Sequence, residues 1–326
     1  MMESVFAARY VRGIKEGFYE SYLIRANHPT EPYAFSIRYT VMSPKQRPEE
    51  AVGELQGIWF DGETGKHRVV NESLAIDEVE MAKDRLMVRI GGASLDEDKV
   101  AGEGASENGR MAWQLSYRGQ QKPLFLLPPA WYEKGFPRAK SLVILPLAKF
   151  NGSLEIDGAP LSVNGWVGSV NHHWGVKYTD EYAWGQVAGF DGAEESFLEM
   201  ATACLRWGPF RTPYVTPVVL RHRGEEFAFN TFFNLCDSRG SFSDYVWVFR
   251  AEKRGVRIEG TVSAPRESFA GFTYRNPPGG VKYGKSTCLA ACEMKFEDKR
   301  GKRAFREALF TRHRAAFEIL TPRPSI

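Results

Sequence analysis

The sequence is poor in the features that announce the common enzyme classes. Its 326 residues include four cysteines, Cys204, Cys236, Cys288 and Cys292, and none forms a CxxC. Cys288 and Cys292 share one face of a strand if that stretch is extended, but lie too far apart for a disulfide. No cysteine pair stands near a histidine at metal-ligand spacing, so no metal is expected. There is no GxGxxG after a strand pattern, and no GxxxxGK[ST], HExxH or GxSxG. Those absences argue against dinucleotide, P-loop, zincin and α/β-hydrolase chemistry, and no cofactor is expected. No apolar run reaches the about 18 residues of a spanning helix, and the opening MMESVFAARYVRGIKEG lacks a leader-like apolar core. The expectation is a cytoplasmic protein with reduced, buried thiols; a peripheral membrane contact stays open. Charge of one sign is scarce as well. The net charge of +3 is too small to argue for a nucleic-acid partner. The one basic cluster, Lys299-Arg300-Gly301-Lys302-Arg303, reads as a solvated turn.

Aromatic residues are abundant, at 13% with 22 Phe, 13 Tyr and 8 Trp. They favour strands and also line pockets for large apolar ligands. Period-2 patterning dominates. It is plain in Met111 to Arg118, in Val256 to Val262 and in Cys292 to Glu297, each of which reads as a half-buried strand. Turn signals recur at Asp61-Gly62, Gly91-Gly92, Asn108-Gly109, Asn151-Gly152, Asp157-Gly158, Asn164-Gly165, Asp191-Gly192 and Pro278-Gly279. Many short strands with such turns predict an all-β antiparallel sandwich or barrel. Arg303 to Ala316 has the composition of a helix and about half its spacing, with a closing strand after it. Residues 122–137 (KPLFLLPPAWYEKGFP) read as a loop over apolar surface, and a further break falls near 206–213. The length suits two all-β units of roughly 150 residues each.

The stretch GSVNHHWGVKYTDEYAWGQ, residues 168–186, combines two adjacent histidines with two tryptophans. Histidine can give or take a proton near neutrality. On a strand His172 and His173 face opposite sides, so only one can face a given pocket. A structural role beside a tryptophan is the competing reading. Glu199 is the one charge in the strand-like run Ser196 to Leu205; in apolar surroundings its pKa rises and it becomes a usable acid. An exposed strand face is the alternative. Glu54 and Gln56 form a lesser parallel. The rings of Trp59, Trp166, Trp174, Tyr178, Trp184 and Tyr274 could hold a cation on their faces, or could simply be core. His28, His67, His222 and His313 sit in contexts that predict solvent exposure.

Four segments in order, Phe18-Tyr-Glu-Ser-Tyr-Leu-Ile-Arg25, Ala34 to Thr40, Gly168 to Gly175 and Tyr274 to Gly279, carry a family resemblance. The chain resembles the lipocalin-like superfamily of the carotenoid 1,2-hydratases (hydroxyneurosporene synthases) and the AttH-like proteins. Tocopherol cyclases and lipocalin-like Diels–Alderases are similar at greater distance. The resemblance implies two tandem lipocalin-like (calycin) antiparallel β-barrels, taken here as residues 1–175 and 176–326. The family's Gly-His-Asn-Trp-Gly-like motif falls on Asn171 to Gly175, with His172 on its histidine and Trp174 on its tryptophan. His173 stands for the usual Asn and Asn171 for the usual Gly. The Tyr and Asp carried by the hydratases on the next strand are replaced here by Phe197 and Glu199.

These readings together predict a cofactor-free hydratase or cyclase acting on an apolar isoprenoid or polyene. The catalytic candidates are His172 and Glu199, one the acid and the other positioning it. Asn171, His173, Trp174, Tyr178, Trp184, Tyr274 and Trp59 are the expected substrate-binding residues. Catalysis proceeds by protonation or, in a pericyclic version, by templating the substrate's fold. A non-catalytic carrier or sensor of isoprenoid or lipid-like ligands is the alternative, since fold alone does not settle function. The oligomeric state is left open.

Overall fold

The computed structural model describes residues 5–207, 210–231, 237–301 and 304–321. It is 66% strand and 5% helix, so nearly every buried apolar face belongs to a sheet. Two compact units divide the chain. The first takes Met1–Leu124, Phe136–Tyr178 and Arg275–Val281; the second takes Phe125–Gly135, Thr179–Tyr274 and Lys282–Ile326. Cys236 lies outside the described residues, as do Lys302 and Arg303 of the basic cluster.

The first sheet has 12 strands: β1 (Phe18–Asn27), β2 (Tyr33–Ser43), β3 (Val52–Asp61), β4 (His67–Ala75), β5 (Val79–Met81), β6 (Met87–Ile90), β7 (Ala93–Asp96), β8 (Lys99–Ser106), β9 (Gly109–Arg118), β10 (Leu124–Phe125), β11 (Ala139–Ile156) and β12 (Ala159–Gly175). Its order is β4-β3-β2-β1-β12-β11-β9-β8-β7-β6-β5, with β10 off that path. The sheet curls into a nearly closed barrel. Its two flanks meet where Ser106 Oγ donates to the Val69 carbonyl at 2.7 Å and Glu72 accepts from the Ala105 amide at 3.0 Å. Burial in β9 alternates along the strand, with Met111, Trp113, Leu115 and Tyr117 turned inward, the pattern its sequence predicts. The interior is a ring-rich core in which Phe35 packs edge-on to Phe150 and stacks on Trp166.

The second sheet has 10 strands. After the short pair β15 (Arg206–Trp207) and β16 (Phe210–Arg211), which stands apart, the strands that matter below are β13 (Glu181–Phe190), β14 (Ala193–Cys204), β17 (Val218–His222), β18 (Glu225–Phe229), β19 (Arg239–Phe242), β20 (Val246–Lys253), β21 (Val256–Ser263), β22 (Ala270–Arg275), β23 (Val281–Asp298) and β24 (Phe305–Thr321). Their order is β18-β17-β14-β13-β24-β23-β21-β20-β19, with β22 paired to β23. This sheet forms a half-barrel around its own core of Trp247, Phe249, Phe317 and neighbours. The two antiparallel barrel-type sheets bear out the expected all-β fold.

Several local expectations are corrected. Within the helix-like stretch Arg303 to Ala316, Arg303 lies outside the described residues, and from Phe305 on the chain is the 17-residue strand β24, hydrogen-bonded to β13 and β23. Its Arg and Glu content serves cross-strand pairs such as Arg306 with Glu297 at 2.6 Å, and pairing overrides helix propensity. Asn151-Gly152 and Asn164-Gly165 are not turns. They oppose each other inside β11 and β12 at a register shift, where the Asn151 side-chain oxygen accepts from the Gly165 amide at 2.9 Å, a bulge rather than a reversal. Asp157-Gly158 does reverse the chain, between Ile156 and Ala159, with φ of 52° and 85°, both left-handed as a type I′ hairpin needs.

Candidate functional site

The histidine-rich stretch lies on β12, between β1 and β11. Antiparallel register sets Tyr22 opposite His172 and Glu20 opposite Trp174, so these four side chains share one face of the sheet. Two glycines permit this close packing. A Cβ at Gly168 would run into the carbonyl oxygen of Arg25, and one at Gly175 into that of Arg138. The glycines that bracket Ser-Val-Asn-His-His-Trp are therefore spacing devices between strands.

His172 and Glu20 are both 0% exposed, and His172 Nε2 lies 2.7 Å from Glu20 Oε1. The other ring nitrogen, Nδ1, is 3.3 Å from the carbonyl oxygen of Val5. A carbonyl can only accept, so Nδ1 carries a hydrogen. Glu20 is further held by chain segment 5–10, which lies across this end of the sheet. The Arg9 amide donates to both carboxyl oxygens, at 2.8 and 2.9 Å, and the Tyr10 amide donates to Oε2 at 2.6 Å. Lys83 ties the same segment down through the carbonyls of Ala8 and Tyr10. Burial pushes the Glu20 pKa up, but the hydrogen bond and charge of His172 and the two amides outweigh it, and the pKa is lowered from its ordinary value. Glu20 is thus a buried carboxylate. Both nitrogens of the His172 ring are thus engaged, one by Glu20 and the other by the Val5 carbonyl.

Aromatic rings surround this pair. The Tyr22 phenol stacks on the His172 imidazole, with centroids 4.3 Å apart and planes within 9°. Its hydroxyl reaches the carbonyl oxygen of Phe6 at 3.4 Å and Glu20 Oε1 at 3.3 Å. Burial, followed by the charge of Glu20, raises the Tyr22 pKa far above its usual value, so it stays a donor. Trp174 lies 4.5 Å from the His172 ring, and the Arg9 guanidinium covers the indole at 4.3 Å. Lys140, opposite Trp174 in register, is buried, and its pKa falls to about 8 through burial.

The other sequence-predicted residues are placed as follows. His173 points to the opposite face, as strand geometry requires, opposite Ser21. Burial, then the charges of Arg38 and His172, push its pKa down to about 3. Asn171, buried on that face beside the half-buried His173, donates to the Leu23 carbonyl and to Ser169 Oγ, each at 3.0 Å. Tyr178 stacks on Tyr19 with centroids 3.9 Å apart. Trp59 belongs to the first core, against Tyr33 and Trp166. In the second unit, Glu199 is 0% exposed and accepts from Trp184 Nε1 and Gln186 Nε2, each at 2.8 Å. Tyr274 packs on Phe272 at 4.7 Å. The carboxylate on His172 is Glu20, a residue the sequence reading passed over. Its signal was present: Glu20 is the only acid in the aromatic run Phe18 to Arg25.

Among the remaining histidines, His222 is not on the surface. It is 3% exposed, with Nδ1 2.8 Å from Ser196 Oγ and Nε2 2.9 Å from Glu307. The basic-looking loop residue beside it, Arg223, joins the same carboxylate at 3.1 Å. This network links β14, β17 and β24, and satisfying its donors in the sheet explains the burial.

No family model matches the chain. An uncharacterized protein of Mycobacterium tuberculosis, found in strains CDC 1551 and H37Rv, is 32% identical over 93 residues. That alignment spans 28% of this chain and 27% of the length of that protein. Three solved structures share the fold across nearly the whole chain. Kievitone hydratase from Nectria haematococca has a TM-score of 0.58 at 12% identity, covering 96% of this chain and 93% of its own. An AttH-like protein from Nitrosomonas europaea has 0.57 at 12% identity, covering 94% and 92%. CghA, solved with Sch210972, has 0.55 at 10% identity, covering 94% and 88%. The fold is thus the one shared by the lipocalin-like AttH and hydratase proteins, as the sequence resemblance predicts.

Proposed function

For a chain with this two-barrel lipocalin-like fold, we propose a cofactor-independent enzyme of the hydratase or cyclase type. Its substrate is an apolar isoprenoid or polyene, and the acid is His172 paired with Glu20. One observation carries the reading: an imidazole and a carboxylate 2.7 Å apart, both fully buried, beneath Tyr22 and Trp174. Buried ionisable pairs with a fixed tautomer are costly to fold, and they concentrate at functional sites. The enzymatic character of one fold neighbour, kievitone hydratase, leans the same way.

In this reading Glu20 holds the Nε2 hydrogen and balances the charge of the ring. The Nδ1 hydrogen, on its longer bond to Val5, is the one passed to the substrate. The faces of Tyr22 and Trp174 then steady the carbocation by about 0.5–2 kcal/mol per ring. Water or an internal hydroxyl captures the cation, and its released proton restores Nδ1. Glu199, held by Trp184 and Gln186, is proposed as a second buried acid within its own unit. Tyr178 and Trp59 are proposed as further ligand-contacting rings within the first unit and Tyr274 within the second; Asn171 and His173, on the opposite face of the sheet from His172, are not part of this wall.

The test is binding and turnover measured together on polyprenyl and polyene compounds. His172→Ala and Glu20→Gln proteins are expected to bind like wild type and turn over at least about 100-fold more slowly. Unchanged turnover in both would leave templating without proton transfer. Binding with no product from any protein would leave the carrier.

A further inference from the structure

One segment of chain covers the buried pair. On the inner faces of β1 and β12, the side chains that follow Glu20, Tyr22 and His172 into the barrel are Ile24, Ala26, Val170 and Trp166, all part of the first core. The barrel is plugged on that side. Segment 5–10 lies across the other, and it meets the site through polar groups. The Arg9 and Tyr10 amides donate to the Glu20 carboxylate, the Val5 carbonyl faces His172 Nδ1, and the Arg9 guanidinium covers Trp174.

Segment 5–10 belongs to no strand. Its Ala8 amide donates to the Ala82 carbonyl at 3.0 Å, and the exposed Lys83 ammonium holds the Ala8 and Tyr10 carbonyls. Val5, Ala8 and Tyr10 are buried, so the closed form is the resting one. Residues 11–16, which lead on to β1, are exposed or half-buried. Among them Gly13 has φ of 83° and open space where a Cβ would stand. A segment tied down by polar contacts next to an exposed glycine linker can open without the barrel.

We propose that segment 5–10 is a lid over the His172–Glu20 pair, swinging on the linker at residues 11–16, with Glu20 as its latch. The carboxylate has two tasks. One oxygen engages His172 Nε2 at 2.7 Å, and both oxygens take charge-assisted hydrogen bonds from the lid amides. The group that serves the imidazole therefore also registers closure, and closure shuts water out of the site. This names the regulation of the site proposed above and rests on that reading for its ligand, an apolar prenyl or polyene chain.

The test is native-state hydrogen exchange on the full chain, read at the Arg9 and Tyr10 amides and at Ile24 in the middle of β1. Exchange at Arg9 and Tyr10 is expected to be at least about 100-fold faster than at Ile24 and flat in low urea. Lys83→Met is expected to speed the two lid amides about fivefold, and Glu20→Gln about tenfold, since a neutral acceptor replaces a charged one. Equal rates and equal urea dependence at all three amides overturn the lid. Lid amides unmoved by both variants overturn the latch. Geranylgeraniol, followed by stopped-flow tryptophan fluorescence, separates the lid from its ligand. Its association rate is expected to level off at the opening rate and to rise about fivefold in Lys83→Met. Association indifferent to Lys83→Met overturns the lid as the way in. Absence of binding counts against the apolar-ligand reading alone, and the exchange rates decide the lid.

Discussion

His172 on β12 and Glu20 on β1 meet at 2.7 Å with no exposure to solvent, on one face of adjacent antiparallel strands and two residues apart in register. The Glu20 carboxylate has no solvent to stabilise it, so it depends on His172 and on the backbone amides around it. That dependence makes the pair measurable.

Breaking the pair is expected to be costly whichever partner is removed. Glu20→Leu leaves a buried imidazole facing an apolar group, and His172→Leu leaves a buried carboxylate with only amides and a phenol. Each is expected to lower stability by about 3–5 kcal/mol in urea titrations. The double variant is expected to cost less than the sum of the two. Additive losses contradict a coupled pair.

Acid stability reports on Glu20 directly. Its folded pKa lies below the ordinary 4.5, so the folded state binds this proton more weakly than the unfolded one. The stabilisation is present in full above about 4.5 and is lost as pH falls through the folded value. A Glu20→Gln protein is expected to show a flatter stability curve below pH 4.5. An unchanged acid limb contradicts the lowered pKa.

His173 is expected to act in a different window. Its folded pKa of about 3 lies under the ordinary 6.5, so the unfolded chain takes up a proton first. Stability falls as pH drops from 6.5 toward 3, by at most about 1.4 kcal/mol per pH unit. Replacing His173 with Gln is expected to remove that slope from pH 6.5 down to about 3, leaving below 4.5 only the part owed to Glu20 and other carboxylates. Because His173 faces away from His172, the same substitution leaves turnover within a few fold.

Much of this was legible in the chain, for reasons tied to particular residues. The alternation in Met111 to Arg118 is a strand with one face in a core, and a strand with such a face must alternate. The opposite facing of His172 and His173 follows from the same rule. What period 2 does not carry is register. Glu20 and His172 are 152 residues apart, and nothing in either local sequence states that β1 pairs with β12. The strand β1 is buried along its whole length, so it shows no alternation to mark its inner face. Arg223-Gly224 and Arg254-Gly255 form hairpin turns with positive φ at both positions, although Arg is not a turn residue by preference. Conversely Asn164-Gly165 spends its turn chemistry on a bulge.

In the second unit, Glu199 accepts two short hydrogen bonds from buried donors. Glu199→Leu orphans Trp184 Nε1 and Gln186 Nε2, and is expected to cost about 3 kcal/mol or more in thermal or urea unfolding. Glu199→Gln keeps the shape and one acceptor and is expected to cost less. Equal stability of wild type and Glu199→Leu contradicts this account of its burial.

The contact of β12 with β1 offers a purely steric check. Gly168→Val places a branched side chain against the Arg25 carbonyl, where backbone must shift. It is expected to destabilise the protein by more than about 2 kcal/mol and to disturb the His172 ring resonances. Tolerance of valine there contradicts the close approach of the two strands.

The most direct measurement is turnover of polyprenyl and polyene compounds in deuterium oxide, with product analysed for deuterium on carbon. The account predicts solvent deuterium in the wild-type product, together with rates cut at least about 100-fold in Glu20→Gln and His172→Ala. Product lacking deuterium, or undiminished rates in both variants, contradicts proton delivery by the buried pair.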